Sequence, residues 1–514
     1  MVTRRGFLGT GAAAAAAVTA GGLFGAAPAH ADYSTAVDPG GSYGYWDGWG
    51  ASLSWWANVF GMNDTVADLL YTLNTTSYNG KNLPGLGLNI VRYNLGASST
   101  ARANGSAMAV SPYIPRRKQI DAYWLDWNSS DPSSASWNWW VDSNQRNMLW
   151  KARDRGANLF ELFSSSPVWW MCKNSNPSGS DTSGPKVPSV ENIQSWNLDQ
   201  HAVYLATVAK YAHDHWGFSF TSVEAFNEPS STWWSGTYGN QEGCTIDRST
   251  QETIIGHLRT ELDARNLTET AVVASDENTY SGSADTWNYF DATTQDTVAR
   301  INTHSYFDTN DPGPRKALYG AATGTPIWQS EYSEGYEHGL YLAYNLSLDM
   351  RFLHPSAWCY WQPIDTQAAP ATGEAPKSWG LVNATYDDPK GLDGTLGYVA
   401  NKYFVMAQYS RHIRPGMRIL DSGDQATVAA YDDTAQKLVL VTVRGDTAQN
   451  VTFDLTKFAV GDGRLTGWVT DANPDYSLGR QYSRTATATI SSGKLTAYFP
   501  AYCIQTFEIS APIK

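Results

Sequence analysis

Apolar and polar positions follow two rhythms over most of this chain. Eight short runs rich in apolar or aromatic residues read as strands: Tyr45 to Ser52, Leu88 to Asn94, Asn158 to Ser164, Ser222 to Asn227, Ala271 to Ser275, Arg300 to Ser305, Pro326 to Ser330 and Ala357 to Trp361. Most end in polar or aromatic residues. Between several of them apolar residues recur near every 3.6 positions, which predicts helices over 65–73, 142–155, 198–215, 249–265 and 340–352. Asn192 or Asn197 can cap the helix before the fourth strand, and Ser249 with Glu252 has the spacing of a capping box. Strand–helix alternation predicts an α/β fold with a parallel sheet. Eight repeats predict a closed (β/α)8 barrel, here spanning 44–412.

The rhythm changes near Arg414-Pro415-Gly416. Beyond it, runs of alternating polarity cover 426–431, 437–443, 450–455, 464–470, 485–490, 495–499 and 503–509, separated by Gly, Asp and Asn turns. That pattern predicts a C-terminal β-sandwich side domain over 413–514. The stretch 32–43 is assigned to this domain and is expected to pair with the first barrel strand. No Gly/Ser linker separates the two parts, so tight packing is expected. Two long loops, 97–136 and 173–191, are rich in Ser, Asn, Pro and Gly. Loops of that length in a compact domain usually carry function, and at the C-terminal face of a barrel they would wall a cleft.

The first 31 residues read as a twin-arginine signal. Arg4-Arg5 precede a long Ala/Gly stretch, and Ala29-His30-Ala31 offers a small-residue cleavage site. Export as a soluble extracellular protein is expected, with no later apolar run long enough to span a bilayer. A formal charge of −13 argues against nucleic acid or an anionic membrane as partner. The triplet Arg116-Arg117-Lys118 reads as a solvated surface turn. The chain holds 22 Trp and 29 Tyr, and many Trp come in adjacent pairs. Neighbours on a strand point to opposite faces, so some of these rings must face a cleft or water, and flat apolar rings suit the faces of sugars. Of the four cysteines, Cys172 and Cys244 fall on loops expected to be neighbours, which makes them the expected disulfide. Cys359 lies in a strand-like run and reads as a buried thiol. No Cys/His spacing suggests a metal site, no motif suggests a cofactor, and the absence of heptads points to a monomer.

The fourth run ends in Asn227-Glu228-Pro229, where a buried strand should open into a loop. The seventh ends in Glu331, about a hundred positions later, enough for roughly three βα units of about 30 residues. Asn-Glu-Pro at a strand end resembles the acid/base station of retaining glycosidases built on barrels. Such enzymes need two carboxyls only about 5–5.5 Å apart, and a closed barrel can bring distant strand ends that close. Glu224, Glu334 and Glu337 compete less well, lying inside a strand or past its end.

The runs 48–58 (GWGASLSWWAN), 88–94 (LNIVRYN), 166–172 (SPVWWMC), 226–234 (FNEPSSTWW), 302–306 (NTHSY), 329–332 (QSEY) and 403–416 occur in the order seen in glycoside hydrolase family 30. The chain resembles that family from about Gly44 to its C-terminus. The patterns at 55–58, 229–234 and 241–244 look like its endo-β-1,6-galactanase branch. The resemblance implies a secreted retaining hydrolase of β-1,6-galactan side chains, with Glu228 as acid/base and Glu331 as nucleophile. An exo-galactobiohydrolase, a β-1,6-glucanase or a xylanase on the same scaffold, and a non-catalytic carbohydrate-binding protein, remain alternatives. Arg92, His304 or Tyr306 would keep Glu331 ionised, and Asn227 fits a donor to the sugar 2-hydroxyl. Trp361 would form the floor under the reacting sugar. Trp55, Trp169, Trp170 and Trp234 are candidates for other sugar contacts, as is Glu277 after the fifth strand.

Overall fold

The computed structural model describes residues 32–181, 188–307, 310–368, 377–386 and 391–514. The expected signal at 1–31 lies outside the described residues. Eight strands close into a barrel: Gly48–Ser52 (β1), Ile90–Leu95 (β2), Leu159–Ser164 (β3), Ser222–Glu224 (β4), Ala271–Glu277 (β5), Val298–His304 (β6), Ile327–Tyr332 (β7) and Ala357–Tyr360 (β8). Each strand pairs in parallel with its sequence neighbours, and β8 returns to β1. The strands read as near-continuous apolar runs because both faces are covered, one by helices and one by the barrel interior.

The amphipathic stretches fold as Asp64–Tyr71, Ser143–Asp154, Leu198–Tyr211, Arg248–Ala264 and Leu340–Leu348. Among further helices outside the predicted stretches are Tyr280–Tyr289 and Pro312–Ala322. They start at Thr279 and Asp311, whose side chains accept the orphan backbone N–H groups of Gly282 and Gly313. The expected caps differ. Asn197 occupies the cap position without a side-chain bond. Asn192 instead donates to the loop carbonyls of Asn176 and Gly179. The capping box does not form, because the helix starts at Arg248, one residue before Ser249, and Glu252 accepts from the backbone N–H of Asp291.

The C-terminal domain is a ten-stranded, mostly antiparallel sheet. Its two edges are the consecutive strands Tyr33–Ala36 and Asp38–Tyr45, paired with Gln449–Asp454 and Arg418–Asp421 respectively. So 32–43 does not pair with the first barrel strand, and Tyr45 belongs to this domain rather than to β1. A single residue, Val37, joins the two edges. Chain reach is under about 4 Å per residue, so the edges must lie side by side and the sheet must fold over on itself. The strand Lys437–Val443 shows why the domains pack tightly. Leu438 and Leu440 enter the side domain's own core, while Val439, Val441 and Val443 join the barrel's core. With period two, each face of this strand is buried against a different partner.

All four cysteines are free and buried. The expected Cys172–Cys244 bond is not formed; the two thiols face the carbonyl oxygens of Pro167 and Thr245 instead. Cys359 packs with Ile90 and Trp328 in an apolar layer inside the barrel.

Candidate active site

Two strand irregularities set the geometry of the barrel mouth. Along β5–β6, Asn302 faces Ser275 while Thr303 faces Glu277, leaving Asp276 as an extra residue. Along β6–β7, Thr303 faces Gln329 and His304 faces Glu331, leaving Ser330 extra. A bulge breaks the two-residue alternation and re-aims side chains. Here it turns Asp276 inward, and Ser330 Oγ donates to Asp276 Oδ1 at 2.5 Å. Both Glu228 and Asp276 adopt left-handed backbone, with φ of +49° and +56°. Non-glycine residues seldom adopt that region, and it recurs at functional sites. The Glu228 N–H donates to the Asp276 carbonyl at 2.8 Å, and Trp234 Nε1 donates to the Glu228 carbonyl at 3.0 Å. The turn carrying Glu228 is thus held from both sides.

One carboxyl oxygen each of Glu228 and Glu331 and a ring nitrogen of His304 lie within 4.8 Å of one another. Asn278 Nδ2 donates to Glu228 Oε1 at 2.5 Å, and Tyr306 OH donates to Glu331 Oε1 at 2.7 Å. Arg92, fully buried, binds Glu161 at 2.7 Å and Asp276 at 2.5 Å, and reaches Glu331 Oε2 at 3.6 Å. Glu161 in turn holds Arg300, which stacks over Trp328 at 3.5 Å. A column of alternating charge therefore rises through the barrel from Arg300 to Glu331. Burial pushes the Glu331 carboxyl up; His304 opposes this and the Glu228 charge adds to it, leaving it at about 7. Burial also opposes ionisation of Asp276, yet Arg92 and then His304 hold it well below the usual carboxylate range. In low dielectric, two carboxyls this close cannot both ionise cheaply.

A cleft of about 410 Å³ opens above this pair. Asn227, Glu228 and Glu331 line it together with Trp55, Trp361, Trp234 and Tyr306. Trp55 and Trp361 meet edge to face at 5.2 Å. Arg117 and Lys118 also line the cleft, the Lys118 ammonium lying 3.8 Å from the centre of the Trp55 ring. The basic triplet is thus not a solvated turn, because its loop folds back over the barrel mouth. Glu242, buried and raised to about 8 by that burial, pins this loop to the one after β4 by accepting from Ser98 Oγ and the Ile120 N–H.

Five expected contacts lie elsewhere. Trp169 and Trp170 are buried in the core, Trp170 edge to face with Trp124 at 5.1 Å. Glu277 faces away from the cleft, because the bulge hands the inward position to Asp276; it binds Ser230 Oγ and Thr286 Oγ1. Arg92 and His304 sit behind the glutamates rather than on the cleft wall. Glu161, Asp276 and Asn278 escaped the sequence reading, and only Asp276-Glu277-Asn278 at a strand end could have flagged the last two. Among the described residues, Glu228, His304 and Glu331 are the group whose donor atoms come close enough for a metal. Tyr306 and Asn278 already occupy the oxygens concerned, and carboxylates on both sides of His304 favour a cationic ring there.

A family model for O-glycosyl hydrolase family 30 matches residues 32–369. The chain belongs to that family. This family 30 glycosidase is 47% identical over 490 residues to an endo-β-1,6-galactanase of Hypocrea rufa, covering 94% of this chain and 96% of that protein. It is 22% identical over 581 residues to an exo-β-1,6-galactobiohydrolase of Bifidobacterium longum subsp. longum, covering 87% of this chain but only 37% of that protein. Among solved structures, the catalytic domain of GH30 xylanase C from Talaromyces cellulolyticus superposes with a TM-score of 0.63 at 17% identity, covering 93% of this chain and 99% of that one. At that identity the likeness establishes the shared barrel and side domain.

Proposed function

We propose that this glycosidase cleaves β-1,6-galactosidic bonds in galactan side chains, internally and with retention of configuration. One carboxyl oxygen of Glu228 and one of Glu331 lie within 4.8 Å of each other, and this close approach carries the mechanism, since it suits the short spacing of retention rather than the roughly 6.5–9.5 Å between carboxyls that inversion needs to admit a water. Glu331 attacks the anomeric carbon as the bond to the leaving oxygen breaks, and Glu228 gives its proton to that oxygen. In the second half, Glu228 takes a proton from water, which displaces Glu331. Arg92, His304 and Tyr306 favour the bare form of Glu331. Asn227 lies beside the pair on the cleft wall, where its side-chain amide can donate to the sugar 2-hydroxyl. Trp361 and Trp55 offer the apolar surface for the ring. The linkage and the internal mode rest on 47% identity across nearly the whole length of the endo-acting relative. The twin-arginine pattern supports release outside the cell, and a mature N-terminus at Asp32 by mass spectrometry would accord with it.

Proton NMR of the first product from β-1,6-galactan tests the mechanism, and product sizes test the mode. The β-anomer should appear first, with a ladder of oligosaccharides from a long chain. The α-anomer appearing first would refute retention. Release of disaccharide alone would favour the exo mode of the Bifidobacterium relative. Turnover of xylan or β-1,6-glucan in place of galactan would overturn the linkage.

A further inference from the structure

His304 is fully buried between three carboxylates. Its Nδ1 lies 3.0 Å from Glu228 Oε1 and 3.5 Å from Glu331 Oε1, and its Nε2 lies 3.1 Å from Asp276 Oδ1. The Asp276 contact is an ion pair off the N–H line, so its force is Coulombic more than directional. A neutral imidazole presents one donor and one acceptor, and a lone pair aimed at a carboxylate oxygen is repelled. With carboxylates at both nitrogens, the ring is best accommodated with two protons. Asp276 itself is fixed on every side. Arg92 holds Oδ2, Ser330 holds Oδ1, the bulge aims it inward, and its carbonyl anchors the Glu228 N–H.

We propose that Asp276 is a positioning residue that keeps His304 a cation, and that this fixed cation favours the bare form of Glu331. This rests on the two-glutamate mechanism above. Asp276 touches no substrate; it acts through His304. The other groups nearby fit. Burial, then Asp276 and Glu161, push Glu224 well above the carboxylate range, so it stays neutral inside the barrel. Burial pushes Tyr306 up as well, so it remains a donor to Glu331. Arg92 is a permanent cation, balanced by Glu161 and Asp276. Burial alone would depress His304, but Glu331 and Asp276 outweigh it and raise it to about 10.

The test is Asp276→Asn in the full chain, with kcat/KM measured against pH on β-1,6-galactan. Without its carboxylate, His304 loses its proton more readily. Glu331 then keeps its own proton to higher pH, and the acid limb of the profile moves up. The smaller loss of direct Asp276 repulsion on Glu331 works the other way. A net rise of about one unit is expected, which is roughly tenfold lower activity on the acid side beyond any plateau loss. His304→Asn should move the limb similarly, and adding Asp276→Asn to it should move it no further. An unmoved limb, or equal additional movement in the His304→Asn background, would overturn the proposal. If wild-type protein fails on galactan, the substrate assignment falls, and the same profile is read on an aryl β-glycoside. Should Asp276→Asn not fold, nitrogen-15 NMR of histidine-labelled wild type decides. The signals missing from His304→Asn must show both ring nitrogens protonated at pH 7.5, and a neutral ring would end the idea.

Discussion

The barrel mouth and the side-domain core are equally buried and built on opposite chemistry. The side-domain core packs Leu438, Leu440, Phe453, Phe499 and Phe507 with no charge among them. The barrel mouth buries Arg92, Glu161, Asp276, His304 and Glu331, all under 5% exposed. Apolar burial stabilises by about 25 cal/mol per Å² and asks little of geometry. Buried charge is tolerated only when every member has a partner. The first region therefore exists to hold the fold, and the second exists for what its charges do together.

Four changes would break or sharpen that contrast. Glu331→Gln should lower turnover by about 10⁴-fold or more, as losing a nucleophile does. It should also leave the fold slightly more stable at high pH. The folded Glu331 binds its proton more tightly than the unfolded chain does. Stability in the wild type therefore falls as pH climbs from the ordinary carboxyl value toward about 7, and thermal melts should show that slope vanish in the variant. Glu228→Gln should cost about 10²–10⁴-fold on galactan and much less on an aryl glycoside whose leaving group needs no proton. Phe453→Ala should cost about 3–5 kcal/mol in chemical denaturation with kcat unchanged in the folded fraction. Glu277→Gln should be smallest, under about tenfold in kcat/KM by steady-state assay, because this residue braces Ser230 rather than the sugar. A nucleophile-sized loss there would mean the cleft has been misread.

The same contrast explains what the sequence revealed. The alternating runs after Gly416 gave the side-domain strands, because one side chain in two faces each core. The barrel strands were legible as apolar runs, and the two glutamates as their endings. Parity failed at the bulges. Nothing in the string Ser275-Asp276-Glu277 says that Asp276 is the extra residue, so Glu277 looked like the inward group. Pairs of Trp were legible as an excess, but not their division. Trp55 and Trp361 reached the cleft, while Trp169 and Trp170 filled space beneath it. That division depends on how the loop at 97–136 lies over the barrel, and the same fold-back carries Lys118 to the cleft. Such long-range placement leaves no local trace.

The two edge strands of the side domain come from one stretch of chain, Tyr33 to Tyr45, with Val37 between them. Residues 33–45 therefore find their strand partners only once the chain beyond Arg418 has been made. A truncation that removes residues 33–45 or the strands beyond Arg418 would spoil the same sheet.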